Sequence, residues 1–252
     1  MIPLAPWLGL AVTCFTAALL QATNGFGFAV LAVPFFLLFA PPGEAIHIII
    51  VISFAVSIFV MPRLYRWVDI GLLCRLTIGG LVALPLGLLA LAHSNRLVVG
   101  AIAGTIVTGF AIMLSWYRFR RHASRIALRP GRDLAVGAVA GVATGLVGMA
   151  GPPVLIYLLL SRAPMLMVRS TLIAFFAVIY AVTLAVNVAV VGMPAQDWLI
   201  AASLLPLIWV GGRIGLRVGD RLGEAAAAAL ALVVLAAAGL YTLAAAAHAA
   251  LW

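Results

Sequence analysis

The chain has 252 residues, of which 66% are hydrophobic and 8% charged, and its mean hydropathy is +1.27. Such values exclude a water-soluble globular domain or a disordered chain and point to an integral membrane protein, since several stretches exceed the roughly 18 apolar residues that a crossing helix needs. The net charge of +9 rests on Arg alone, and those Arg cluster between apolar segments, so a membrane-orientation reading suffices and a nucleic-acid partner is not implied.

From the N-terminus no charged side chain appears before Glu44. As one helix, residues 3–40 would be about 57 Å long against a hydrocarbon core of about 30 Å, so the run must break or turn back. The break belongs at Asn24-Gly25-Phe26-Gly27, where two glycines and an Asn lower helix propensity and permit positive φ, with Pro34 inside the second arm. Backbone freed there is tolerated in hydrocarbon only against protein or a wet cavity, which makes the break the first candidate for a substrate site. A related interruption recurs at Gly145, Gly148, Gly151 and Pro152-Pro153, after Gly141 and Thr144 and before a second apolar arm. The chain therefore reads as duplicated, with an Arg-rich link over 118–132 between the copies.

These two glycine-proline motifs, Gly25-Phe26-Gly27-Phe28-Ala29-Val30-Leu31-Ala32-Val33-Pro34 and Gly145-Leu146-Val147-Gly148-Met149-Ala150-Gly151-Pro152-Pro153, resemble those of the TauE/SafE, or sulfite-exporter, family of bacterial membrane transporters. The resemblance covers nearly the whole chain. Many members carry three adjacent glycines in each motif, whereas Phe28 and Met149-Ala150 occupy part of that space here. It implies an exporter or permease of a small anion such as sulfite, a sulfonate or another organosulfur acid, in the bacterial inner membrane.

After the first hairpin and the turn at Pro41-Pro42-Gly43, helices are expected over 45–61, 71–92 and 97–116. In the second half a broken element over 134–160 precedes helices over 167–191, 198–212 and 225–247. Cys14 and Cys74 lie in apolar segments and read as packing residues, with no disulfide or metal implied. The N-terminus lacks the cationic region of a cleavable signal peptide, so Met1 onward is expected in the mature protein.

Arg placement decides the topology, because cationic residues favour cytoplasmic loops. If each broken element crosses once, Arg divide almost evenly between the two faces. If each enters and returns on its own side, every Arg except Arg96 falls on one face. The second arrangement is adopted. A hairpin plus three crossings is an odd unit, so two in tandem lie inverted, with both termini outside the cytoplasm. The expected architecture is thus an all-α polytopic membrane protein of two inverted repeats, 1–117 and 133–252, joined by a cytoplasmic linker over 118–132. Broken helices meeting near the midplane of inverted repeats are a recurrent arrangement in secondary transporters.

Helix N-termini beside Gly27 and Gly151 would favour an anion. The glycines, including Gly25, Gly145 and Gly148, equally suit close helix packing. Gln21, Thr23, Asn24 and Thr144 add neutral donors beside the breaks, and Phe26, Met149 and Ala150 complete the two candidate linings. His47 and Arg169 each open the helix after a hairpin and read as rough counterparts, able to attract an anion or, with equal reason, to snorkel to water. Arg75 reads as a snorkelling cation, Asn187 and Tyr157 as weak candidates. Of six acidic residues, Asp69, Asp133, Asp197 and Glu224 lie at segment ends, Asp220 in a cationic loop and Glu44 after a turn, which leaves no intramembrane carboxylate to neutralise a cationic solute. No catalytic or metal-ligand constellation is visible, so neither an enzyme nor a cofactor is expected. The expected partners are a small anion and the bilayer. The coupling ion, proton or sodium, and the oligomeric state are left open, as are a passive channel and a structural role.

Overall fold

The computed structural model describes residues 4–119 and 126–221. The expected helix over 225–247 and the middle of the Arg-rich link lie outside them. Among the described residues every regular element is helical: α1 (Leu4–Asn24), α2 (Phe28–Phe39), α3 (Pro42–Val60), α4 (Ile70–Ala92), α5 (Arg96–Phe119), α6 (Pro130–Val147), α7 (Gly151–Leu160), α8 (Met165–Val186) and α9 (Ala195–Arg221). Two short 3-10 turns, Met61–Arg63 and Tyr65–Trp67, join α3 to α4, and a π-turn, Asn187–Val191, ends α8. Among the described residues five helices are long and apolar enough to cross a bilayer, while α2 and α7 are shorter apolar arms.

Boundaries follow local chemistry. Asp69 caps α4, its Oδ1 accepting from the Leu72 N–H at 2.9 Å. Proline opens α3, α6 and α7 near their first positions, where its missing N–H costs nothing. Gly148, at φ +71, closes α6 in the left-handed conformation that ends many helices. The last described helix, α9, runs to Arg221 rather than stopping near Gly212, passing through Pro206 without a break.

Both broken elements fold back on themselves. A Cβ on Gly9, early in α1, would lie 3.1 Å from the ring of Phe39 at the end of α2. In the second hairpin the Ile126 N–H donates to the Leu160 carbonyl at 3.1 Å, and Tyr157 Oη reaches Asp133 at the start of α6. Each hairpin thus opens and closes at one end of the bundle.

Two parallel helix pairs link the halves of the chain. Along α1 and α9, Trp7 Nε1 donates to Ser203 Oγ at 3.1 Å, and Cβ atoms on Gly211 and Gly215 would meet the carbonyls of Phe15 and Leu19 at 2.6 and 2.4 Å. Along α4 and α6, a Cβ on Gly137 would meet the Leu76 carbonyl at 2.1 Å and one on Gly141 the Gly80 carbonyl at 2.0 Å. At these glycines backbone packs on backbone, and dispersion between the close-lying helices holds both seams. The relation is reciprocal: the first arm of each hairpin lies beside the fourth helical segment of the other half.

Helix directions follow from further contacts. His47 meets Asp197 and Phe59 meets Trp209, so α3 runs with α9; Asp69 meets Thr171 and Gly80 lies against Ile179, so α4 runs with α8. Helix α3 runs against α8, since Thr171 sits just beyond the end of α3, while Tyr180 reaches Gly148, which faces Ile46 and Ile49 near its start. Helices α1, α3 and α9 therefore point towards the Arg63 end of the bundle, and α4, α6 and α8 towards the His93 end.

The two hairpin tips contact α8 at different levels. Arg169 of α8 touches the first tip and Tyr180 the second, and eleven residues of helix separate them, about 16 Å. The tips pass each other, each ending beside the opening turns of a helix from the other half.

Candidate functional site

At the first tip, α1 ends at Asn24 and α2 starts at Phe28 with Gly27, φ +113, as its N-cap and no side chain capping it. The first intrahelical bond of α2 runs from the Leu31 N–H to the Gly27 carbonyl at 3.0 Å, so the N–H groups of Phe28, Ala29 and Val30 have no acceptor within the helix. Beside them lie Gln21, 2% exposed, and Asn24, whose Nε2 and Nδ2 are buried without a hydrogen-bond partner. A buried amide left in that state costs about 1–3 kcal/mol. The Arg169 guanidinium donates through Nη2 to the Ala22 carbonyl and brings a fixed positive charge to the same tip. Gly25 is required here twice over, by its φ of +83 and because a Cβ would lie 2.3 Å from Arg169 Cγ. Phe26 closes one side, edge-on to Phe110 of α5 at 5.9 Å.

Thr23 belongs to the packing rather than the opening. Its Oγ1 donates to the Leu19 and Gly215 carbonyls at 2.8 and 3.0 Å, in the α1–α9 seam.

The second tip is internally satisfied. Gly148 N–H donates to the Thr144 carbonyl at 2.8 Å and Met149 N–H to the Ala143 carbonyl at 3.3 Å. Tyr180 bridges the turn, donating to the Gly148 carbonyl at 3.0 Å and accepting from the Ala150 N–H at 3.4 Å. Helix α7 then begins Gly151-Pro152-Pro153, so two of its first N–H groups do not exist. Met149 and Ala150 are wholly buried, and Gly151 abuts Phe176. Thr144 Oγ1 donates to its own helix at Ala140, 2.6 Å, and Gly145 sits in the α4–α6 seam, where a Cβ would meet the Leu84 carbonyl at 2.7 Å. Two tips that look alike in sequence are chemically unlike: the first presents donors, the second has consumed or lost them.

Two buried polar clamps were not legible from the sequence. His47 is not at a wet interface but 7% exposed, its Nδ1 2.8 Å from Oδ2 of Asp197, itself 3% exposed. Arg75 Nε donates to Asp133 Oδ2 at 2.6 Å, and Tyr157 Oη donates to Asp133 Oδ1 at 2.5 Å. Asp133 is fully buried and Asp197 nearly so, although both lie at segment ends, as the sequence places them. Both lie in the first turn of a helix, where carboxylates read as exposed caps; only the fold brings a cation to each. Arg75 keeps about a third of its side chain exposed while its Nε is committed to Asp133. Asn187 Nδ2 donates to the Thr183 carbonyl at 2.8 Å and serves its own helix. Among the described residues no group of His, Cys, Asp and Glu is placed to hold a metal.

Long apolar helices, broken hairpins and buried ion pairs together define a multi-pass, all-α membrane protein. The chain belongs to the sulfite exporter TauE/SafE family, whose model matches residues 10–242, and that family is one of membrane transporters of sulfite-type anions. No curated protein and no solved structure matches the chain.

Proposed function

We propose that the protein is a secondary transporter that carries a small oxyanion of the sulfite class by alternating access, with the anion held at the first hairpin tip. One observation carries the reading: orphan N–H groups of α2, two buried amides without partners and the Arg169 guanidinium converge on one turn. Helix N-termini favour negative charge, and an oxyanion has acceptors enough for several such donors at once. The guanidinium keeps its charge at any working pH and suits oxyanion geometry.

The reciprocal α1–α9 and α6–α4 pairs, together with the opposed helix directions, support inverted repeats over 1–117 and 133–252. With the Arg63 end in the cytoplasm, as the Arg bias favours, the first hairpin enters from outside and its donors face the cell interior. That orientation suits an exporter in the inner membrane, with both termini outside.

Sulfite flux into proteoliposomes tests the proposal. Wild-type protein is expected to move sulfite and to leave an organic cation behind, and Asn24→Leu to weaken binding by about 1–3 kcal/mol, the worth of a hydrogen bond to a charged group. Flux that no ion gradient drives uphill would make the protein a channel, and no flux of any anion would leave a structural role. Uptake of the cation in preference to every anion would overturn the reading.

A further inference from the structure

The two clamps differ in one chemical respect. At the Arg63 end, Arg75, Asp133 and Tyr157 tie α4 to both arms of the second hairpin, and the cation is a guanidinium that does not lose its proton. At the His93 end, α3 is tied to α9 through His47 and Asp197, and the cation is an imidazole. We infer that the His47–Asp197 pair is a proton-binding site that latches the His93 end shut, one proton entering as α3 and α9 close and leaving as they part. This rests on the proposed transporter reading and names its coupling ion.

The physical basis is charge accounting in a dry site. With the proton, His47 is cationic, Asp197 anionic and the buried pair neutral. Without it, an anionic carboxylate faces a neutral ring away from water, and burying an uncompensated charge is strongly unfavourable. Closure therefore demands the proton, and hydration of the parted helices releases it. The neighbouring groups leave the task to this pair. On α3 the other ionisable group is Glu44, one turn earlier and half-buried, whose charge acts on both members. On α9 the described charged side chains besides Asp197, Arg213 and Arg217, lie towards its far end, and α1 and α2 carry none. From α8, Tyr180 faces the turn at Gly148 rather than the pair, and Arg169 lies at the opposite end.

The latch also adjoins a moving-part candidate. Ile46 and Ile49, on either side of His47 in sequence, would each lie 3.7 Å from a Cβ on Gly148, so parting of α3 from α9 acts directly on the second hairpin tip. Among the described residues the Arg63 end holds no matching device. Asp69, at the start of α4, spends its carboxylate on the Leu72 N–H, and its own N–H donates to Thr171 Oγ1 at 3.3 Å. One end of the bundle is thus proton-responsive and the other fixed.

Spin labels at Gly43, where nothing lies within 4 Å of an added Cβ, and at exposed Gln196 report the α3–α9 separation with no solute present. In a background with Cys14→Ala and Cys74→Ala, pulsed-dipolar distances are compared in liposomes at about pH 5.5 and about pH 8.5, either side of the ordinary imidazole range. The expected result is a short distance at low pH and a longer one gaining population as pH rises, with the ratio changing by up to about tenfold per pH unit for a one-proton latch. His47→Gln and Asp197→Asn should abolish the pH dependence, and Glu44→Gln should retain it. A wild-type distance that ignores pH overturns the inference, even if both clamp variants fail to fold. So does a pH response preserved in a folded His47→Gln protein. Sulfite flux measured alongside separates the cases, since its absence bears on the transporter reading and not on the latch.

Discussion

Arg169 lies directly over Gly25, so close that its Cγ would be 2.3 Å from any Cβ placed there, and its guanidinium reaches past that glycine to the Ala22 carbonyl. A residue from the second half of the chain thereby fixes the shape of the first half's broken turn, and two positions 144 apart in sequence become one structural unit. Substituting Gly25→Ala should combine a left-handed backbone cost of about 1–2 kcal/mol with forced displacement of Arg169. The expected outcome is a folded but less heat-stable protein with impaired sulfite flux, read from a detergent melting curve and proteoliposome uptake. Gly25→Ala transporting like wild type would remove the Arg169 contact from the site.

The anion cradle predicts a division among polar residues that sequence alone treats as equals. Gln21→Leu should weaken sulfite transport, since its Nε2 is buried without a partner. Thr23→Val should act instead on stability, because its hydroxyl serves the seam with α9. Concentration dependence of flux, set against melting temperature, separates the two effects.

The α4–α6 seam should tolerate no bulk. Gly141→Leu would drive a side chain into the Gly80 backbone, and overpacking of that severity costs about 1–3 kcal/mol or more, so loss of monodisperse protein is expected. Gly109→Leu, on α5 with nothing within 4 Å of an added Cβ, serves as the control and should elute normally. Equal behaviour of the two in size-exclusion chromatography would contradict the seam.

Removing the acid from the Arg63-end clamp strands a cation against buried surface. Asp133→Asn is expected to destabilise by about 3 kcal/mol, the lower end for a broken buried pair because Arg75 is 35% exposed. Arg75→Gln added to it should recover part of the loss, a coupling that a double-mutant thermal-stability cycle measures directly.

Orientation has its own test. Single Cys reporters at Trp67, between α3 and α4, and at Gln196, at the start of α9, should react with an impermeant maleimide from the cytoplasmic and outer sides respectively. Both positions are exposed, so lack of access is not an obstacle. The reverse pattern would invert the membrane placement while leaving the fold intact.

How far the sequence speaks depends on whether the signal is local. Helix positions came from unbroken apolar runs, and the hairpins from glycine clusters too flexible to continue a helix, so α1 through α8 lie where the pattern puts them. The Arg bias leads to the expectation that each hairpin returns to its own end; Gly9 lies against Phe39, and Asp133 against Tyr157. What stayed hidden depends on partners far away in the chain. His47 and Asp197 are 150 residues apart, and Arg75 and Asp133 are 58 apart, so neither clamp has a spacing that a motif could capture. The glycines Gly137, Gly141 and Gly145 of α6 and Gly211 and Gly215 of α9 recur every four residues, a spacing that suits close helix packing but does not name the partner helix. Nor does the sequence reveal that Tyr180 completes the second tip, which makes two similar motifs into one donor-rich site and one sealed corner.

The α1–α9 seam also bears on how the protein is made. Trp7 finds Ser203 only after 196 further residues have been synthesised, a delay on the order of 10–40 s at ordinary elongation rates. Throughout that interval the face of α1 that meets Gly211 and Gly215 lacks its α9 partner, while α4 receives its partner α6 much sooner. The α4–α6 seam can therefore close well before the α1–α9 seam.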